Sequence, residues 1–564
     1  MTASMTASAP LRIPSTDRFE THEVFNQPPA LESYSVLESE PALRDGVGEF
    51  GAGWAQKLIE AFSRRVADPE VIEWGHLSNK HTPELKTHDR FGRRIDQVEF
   101  HPAWHELMRL GVENQVHSFP WNHEQEGAHV VRTALFYLLN QVENGVNCPL
   151  SMTYSGVPAL SEAPGLDPAW VSRLIAPIYD PRPVHAAEKS GCLMGMALTE
   201  KQGGSDVRAN TTRAVPVASV GEGETYELIG HKWFCSAPMC DAFLTLAQTE
   251  HGLSCFFVPR HADDGSVNGI RIQRLKNKLG NRSNASSEIE YVNARGVMLG
   301  EPGRGVPKII EMVIHTRLDC IAGSAAIMTH AVRQALHHAR HRRAFGHLLI
   351  DQPLMRSVIA DLLLECEGAT WLALRIAQSY DEGHRDPDRR PFMRLATALS
   401  KYWVCKRTPW VVYEALECHG GNGYVEDSIV SRLYREAPLN SIWEGSGNVI
   451  CLDVLRTLEK EPVAVEALLA ELNSSRGKDS HYDSHVEALV SRLRDRDFNP
   501  ATARGLVQSM ALALQASVLL GHAPEGISRA FCRLRLPHGG NPVFGVLAED
   551  LDTGSIIARW MNPS

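Results

Sequence analysis

Apolar residues recur at three- and four-residue spacing through the first 190 positions, as in AQKLIEAFSRR (55–65) and VVRTALFYLLNQV (130–142). That spacing gathers apolar side chains on one helical face and predicts a helical domain over residues 21–189. No catalytic motif stands out there, so the domain reads as packing. Near residue 191 the period changes. TYELIGHKWFCS (225–236) and GLSCFFVPR (252–260) are β-rich runs bounded by the turn formers of 221–223 and 263–265. They predict a β-domain over residues 190–302. Long helical patterns return at 306–341, 352–380 and 394–417, which predicts a helical bundle over 303–455. Between them DEGHRDPDRRP (381–391) reads as an exposed turn. Three further helical segments (463–472, 484–493 and 501–520) predict a C-terminal helical domain over 456–564. The fold class expected is α+β, mostly α.

Length and composition narrow this picture. A chain of 564 residues exceeds one ordinary core. With 43% hydrophobic and 22% charged residues, collagen-like, coiled-coil and wholly disordered classes are excluded. A net charge of −10 excludes a uniformly basic coat for nucleic acid. Eleven cysteines without a CxxC pair argue against a disulfide scaffold or zinc ribbon, and point to a reducing compartment, the cytoplasm. The longest apolar run, 501–522, is broken by Arg504, Gln508 and Gln515, so no membrane span is expected. Residues 1–20 lack an apolar signal core and read as a disordered tail.

Seven segments carry chemistry: LTEKQGGSD (198–206), GHKWFCS (230–236), KLGNRSNAS (278–286), LGEPGRG (299–305), HRRAFG (341–346), HGGNGY (419–424) and SIWEGSGN (441–448). In the first, Gly203 and Gly204 open a turn whose backbone N–H groups can approach a ligand, and Thr199 and Ser205 supply short hydroxyls. In HRRAFG, an arginine can grip a pyrophosphate bidentately. His337 and His341 stand one turn apart, but arginines crowd them and no carboxylate joins them, so no metal site is expected. In IWEG, Glu444 stands at the entry to a helix, where the dipole favours a carboxylate.

In this order and spacing the segments resemble the acyl-CoA dehydrogenase family. THEVFNQPPAL (21–31), FHPAWHELM (100–108) and YREAPLNSIWEGSGNVICLDVLR (434–456) look like its AidB-like branch, flavoproteins of the bacterial adaptive response to DNA alkylation. The resemblance implies FAD as cofactor and a homotetramer. It implies Met196, Leu198, Thr199 and Ser205 along the isoalloxazine and pyrophosphate. Phe234, Cys235 and Ser236 take the place of a Trp-Ile-Thr-like triplet, with Cys235 read as an apolar filler. Arg342 would reach the pyrophosphate across a subunit interface, and Gly421 the FAD of a neighbour. Glu444 would be the base and Arg317 an active-site arginine near the thioester. Ile442, Trp443, Gly445 and Asn448 would flank the flavin. Glu417 and Pro353 depart from the glutamines common in the family, which puts the adenosine end in question.

The same resemblance implies double-stranded DNA binding by the C-terminal domain and weak activity on an acyl-CoA. Yet residues 461–564 carry ten basic and twelve acidic side chains. Arg529, Arg533 and Arg535 are the best local cluster for phosphate, with no acid between them. An ordinary acyl-CoA dehydrogenase or oxidase, and a DNA-shielding protein with structural FAD, remain as alternatives.

Overall fold

The computed structural model describes Phe19 and residues 21–161, 163–496, 498–537 and 543–561. The expected tail, 1–20, lies outside the described residues apart from Phe19.

Two helices form the heart of the N-terminal domain: α1 (Ala128–Asn140), in which every residue is buried, and α2 (Asn147–Leu160), nearly so. A helix apolar on all sides belongs inside a protein; α2 lies between the bundle and the β-domain, and α1 between the bundle and the other N-terminal helices. The domain is not wholly helical. Strands β1 (Glu84–His88) and β2 (Arg94–Glu99) form an antiparallel hairpin. Its turn is capped by Asp89 Oδ1, which accepts from the backbone N–H groups of Phe91 and Arg93. The hairpin is stitched to the β-domain: Asp96 Oδ2 accepts from the Ile272 N–H at 3.0 Å.

The β-domain comprises β3 (Met194–Ala197), β4 (Arg213–Pro216), β5 (Thr225–Ser236), β6 (Ala242–Thr249), β7 (Gly252–Pro259), β8 (Ile270–Leu275) and β9 (Ser286–Leu299). The strands run β6–β4–β5–β9–β7, and β7 pairs β6 again, so the path closes. Closure leaves β3 on β6 and β8 on β9. The domain keeps its own apolar core, centred on residues such as Phe243, Phe256 and Tyr291.

The bundle consists of α3 (Gly305–His341), α4 (Pro353–Arg385), α5 (Arg390–Glu417) and α6 (Gly447–Lys460). Between α3 and α4 a two-stranded hairpin turns at Phe345 and Gly346, both at positive φ, as such short turns require. The exposed turn expected over 381–391 is present but begins later, at 384–390. Helix α4 continues to Arg385 and Asp381 is buried, because its Oδ1 accepts the His129 backbone N–H at the open end of α1 at 3.0 Å.

The C-terminal appendix has α7 (Pro462–Asn473), α8 (Ser480–Asp495) and α9 (Ala503–His522), as the pattern predicts. Two further helices, α10 (Glu525–Arg535) and α11 (Thr553–Met561), were not foreseen. Among the described residues one helical stretch, Pro500–His522, has the length and apolarity to cross a membrane, but 72% of its most apolar window is buried in the protein. It packs on α4 and α5 and reads as a core helix.

Candidate functional site

The acidic side of the site is the turn that leads into α6. Glu444 sits there in the left-handed region (φ +55), followed by Gly445 (φ +101). A non-glycine residue at such φ is held there by its surroundings. Three successive carbonyls are gripped from below. Lys401 of α5 donates from Nζ to the carbonyls of Trp443 (2.9 Å) and Gly445. Between them, Arg317 of α3 donates from Nε to the Glu444 carbonyl at 3.1 Å. Arg317 is fixed at its other end by Asp453 at 3.0 Å. Gly445 leaves room for this: a Cβ there would stand 3.4 Å from Arg317 Nη2.

The Glu444 carboxylate is held apart from that backbone grip. Its Oε2 accepts from Thr316 Oγ1 at 2.6 Å. Burial pushes its carboxyl above the ordinary glutamate range, against the pull of the Thr316 hydroxyl and of Lys401 and Arg317. Such a group can take a proton and keep it in a dry site. Trp443 is oriented by its Nε1, which donates to Asn440 Oδ1 at 2.8 Å, and it packs on the core of the β-domain.

The strand side of the site is the turn after β3. Glu200 is buried and ion-pairs with Lys232 at 2.9 Å. Burial works against its ionisation, but Lys232 and donors from Thr211 and Thr212 hold its carboxyl well below the usual range. This brace shapes the turn. Thr199 C=O accepts from the Trp233 N–H at 2.7 Å, which ties the turn to β5. A Cβ on Gly204 would lie 2.3 Å from Thr199 Oγ1, so only glycine leaves that hydroxyl its place. Ser205 is exposed, and Met196 and Leu198 are half-buried against the β-domain core.

Along β5 the side chains alternate. Phe234 is 47% exposed, whereas Cys235 is fully buried, its thiol pushed up to about 12 by burial. Cys235 is the apolar filler its neighbours suggest and does not share the face of Phe234. Ser236 Oγ lies 3.4 Å from Ser286 Oγ, whose other partner is the Lys278 ammonium at 2.8 Å. Burial drives Lys278 down to about 8.

These residues fit an FAD. Phe234 and Ile442 (63% exposed) are large apolar side chains left in solvent, the kind of surface a flat ring covers. A Cβ on Gly421 would meet nothing within 4 Å, so the HGGNGY turn is open to a ligand. Arg342 caps α3, and its Nη1 donates to the Asn26 carbonyl at 2.7 Å. Asn448 is exposed, but its Oδ1 accepts from Arg504 Nε of the appendix at 2.8 Å, so it turns toward α9. Glu417 is exposed at the end of α5.

The proposed phosphate cluster does not hold together. Arg535 is buried and ion-pairs with Asp361 (2.5 Å) and Glu365 (2.9 Å) of α4. Its side chain points into the molecule because α10 packs that face on the bundle. Arg529 and Arg533 are exposed, yet each has a carboxylate, Glu525 at 2.5 Å and Asp550 at 2.6 Å.

Sequence reasoning missed Thr316, Lys401, Asn440 and Lys278. Lys401 had a signal: it is a lone charge within the apolar run ATALSKYWVC.

Comparison with known proteins identifies the family. Residues 26–181 match the adaptive response protein AidB N-terminal domain, 195–294 the acyl-CoA dehydrogenase middle domain, and 303–459 the acyl-CoA dehydrogenase C-terminal domain. The chain is 43% identical to AidB of Escherichia coli (strain K12), covering 93% of this chain and 96% of that protein. Among solved structures, the apo form of Bd2924 superposes with a TM-score of 0.80 at 26% identity, covering 89% of this chain and all of that one. ACDH-11 of Caenorhabditis elegans in complex with C11-CoA gives 0.79 at 24% identity over 96% of this chain and 93% of that one, a likeness of fold.

Proposed function

Since the chain belongs to the acyl-CoA dehydrogenase family, as one of its AidB-like members, we propose that Glu444 is the base of a dehydrogenation and that the protein serves the adaptive response to DNA alkylation. The chain is a flavin oxidoreductase with FAD as cofactor. The observation that carries the catalytic reading is the half-buried Glu444, its carboxylate raised in proton affinity and held by Thr316 on a turn clamped through its backbone.

Glu444 removes the proton α to the thioester carbonyl of a short or branched acyl-CoA. The Thr316 hydroxyl aims the carboxylate, and Trp443 and the bundle exclude water. Bound FAD supplies the acceptor for the hydride that leaves the β-carbon. Thr199, Ser205, Phe234 and Ser236 hold the cofactor from the strand side. Arg342 and Gly421 hold it from the neighbouring subunit of a homotetramer. Turnover is weak.

The second part of the reading is binding of double-stranded DNA by the appendix, in the cytoplasm. Support comes from the kinship with an adaptive response protein and from Arg529 and Arg533, exposed on α10. A phosphate would displace Glu525 and Asp550 from them.

Two assays test this. Flavin bleaching by short and branched acyl-CoAs is expected in the wild type and absent in Glu444→Gln; equal bleaching removes Glu444 as base. Retardation of duplex DNA is expected at low salt with a steep loss as salt rises. Absence of retardation at low salt removes the DNA reading, and brisk turnover without DNA binding leaves an ordinary dehydrogenase.

A further inference from the structure

A buried ammonium is costly unless it is paired. Lys401 is 1% exposed, in the middle of α5. Its hydrogen bonds run to two backbone carbonyls, and it has no ion-pair partner among the described residues. The two carbonyls flank Glu444. We propose that Lys401 is the positioning residue and counter-charge of Glu444, keeping it ionised and its turn in the left-handed conformation that aims it. This inference rests on Glu444 as the base.

Three observations converge. First, the residues on either side of Glu444 are tied to a single ammonium, so the turn cannot relax without breaking both bonds. Second, Arg317 takes the carbonyl between them, yet its own charge is met by Asp453 at 3.0 Å. Lys401 has no such competitor. Third, of the other groups whose charge bears on the Glu444 carboxyl, none is an unpaired cation, and Lys406 of α5, half-buried beside Gly447, is not among them. From α3 come Thr316, a neutral donor, Arg317, Cys320 and Asp319, whose own charge is met by Arg132 of α1 at 2.9 Å. From α2 comes Cys148, held as a thiol by burial. From α6 comes Asp453, which is occupied by Arg317. Burial and Asp319 push the Glu444 proton on, and Lys401 and Arg317 push it off.

When Glu444 is ionised, Lys401 has a neighbouring negative charge. When Glu444 carries the proton taken from substrate, Lys401 stands alone in a buried site. That imbalance favours loss of the proton once product has gone, and readies the base again.

The test reads the Glu444 carboxyl directly in the FAD-bound protein. The protonated carboxyl stretch in the infrared is titrated with pH, using Glu444→Gln to identify the band. Lys401→Met removes the charge and the donor. Lys401→Gln removes the charge and keeps a donor for one carbonyl. In both variants the titration midpoint is expected to rise by about one pH unit. Flavin reduction at neutral pH should then fall about tenfold and recover at higher pH, with acyl-CoA binding unchanged.

A midpoint unmoved in both variants overturns the proposal. So does failure of both variants to fold with FAD bound, which makes Lys401 a structural residue. If Lys401→Gln behaves as wild type while Lys401→Met does not, the clamp alone matters and the counter-charge falls. Should no acyl-CoA reduce the wild-type flavin, the substrate reading fails by itself, and the infrared midpoint still decides the role of Lys401.

Discussion

The Nε of Arg535 donates to Oε2 of Glu365 at 2.9 Å, across the seam between the appendix and the bundle. Arg407 of α5 reaches the other oxygen of the same carboxylate, also at 2.9 Å. Nearby, Arg375 binds Glu471 of α7, and Arg559 of α11 binds Glu367. The appendix is therefore docked by buried arginine–carboxylate pairs as well as by apolar packing.

Replacing Arg535 with methionine should be severe. Arg407 would still meet Glu365, but Asp361 would lose its cation in a buried place. Breaking a buried pair from one side costs about 3–5 kcal/mol. Denaturant unfolding should report that loss, and limited proteolysis should release the appendix. The salt dependence of DNA binding should stay the same, because Arg535 has no surface to offer.

Acid should loosen the protein in two stages. Burial lowers His117 and His315 to about 4, below an ordinary histidine at about 6.5. A folded-state value below the unfolded one means that stability is present above about 6.5 and is lost as pH falls toward 4. Glu365, set against its burial by Arg407 and Arg535, is lowered to about 2. Its contribution is present above about 4.3 and fades as pH falls toward 2. Chemical denaturation at stepped pH should show both declines, and the second should be smaller in the Arg535→Met variant, where Arg407 alone still pairs with Glu365.

Thr316→Val removes the one hydroxyl that donates to the Glu444 carboxylate. A hydrogen bond to a charged group is worth about 1.5–3 kcal/mol. The pH at half-maximal flavin bleaching should rise, since the ionised base loses support, and the rate at neutral pH should fall about tenfold or more. A rate and pH profile equal to wild type would deny Thr316 this part.

Gly204→Ala places a methyl where Thr199 Oγ1 now lies. The hydroxyl must swing away, and FAD occupancy of purified protein should drop, as absorbance near the flavin band will show. The fold should persist, because the turn is braced independently by the Glu200–Lys232 pair.

Neutralising Arg529 or Arg533 should lower the slope of log affinity for duplex DNA against log salt by about one each, if they meet phosphates. No change in slope would send the search for the DNA face elsewhere on the appendix.

The order of helices and strands was legible because helix and strand periods differ, and the change near residue 191 is abrupt. The hairpin of β1 and β2 was hidden by its short strands, in which ELKTH and RIDQVE carry few apolar residues. The depth of Asp381 was hidden because its partner, the open end of α1, lies 252 residues away in the chain. Glu444 was legible from its motif. Thr316 and Lys401 were not, since each meets it only through tertiary folding. Arg535 was misread for a related reason: charge spacing shows which arginines cluster in sequence, but not which helix face is turned inward.

The clamp on residues 443–445 acts on main-chain oxygens, which every amino acid possesses. The path of that turn therefore does not depend on the acid it displays. A descendant that exchanged the carboxylate for a neutral side chain would lose proton abstraction and leave Lys401 without a neighbouring charge, yet keep the backbone bonds that set the turn and the docked appendix. Chemistry and scaffold are separable here, and a lineage could give up the first while continuing to use the second.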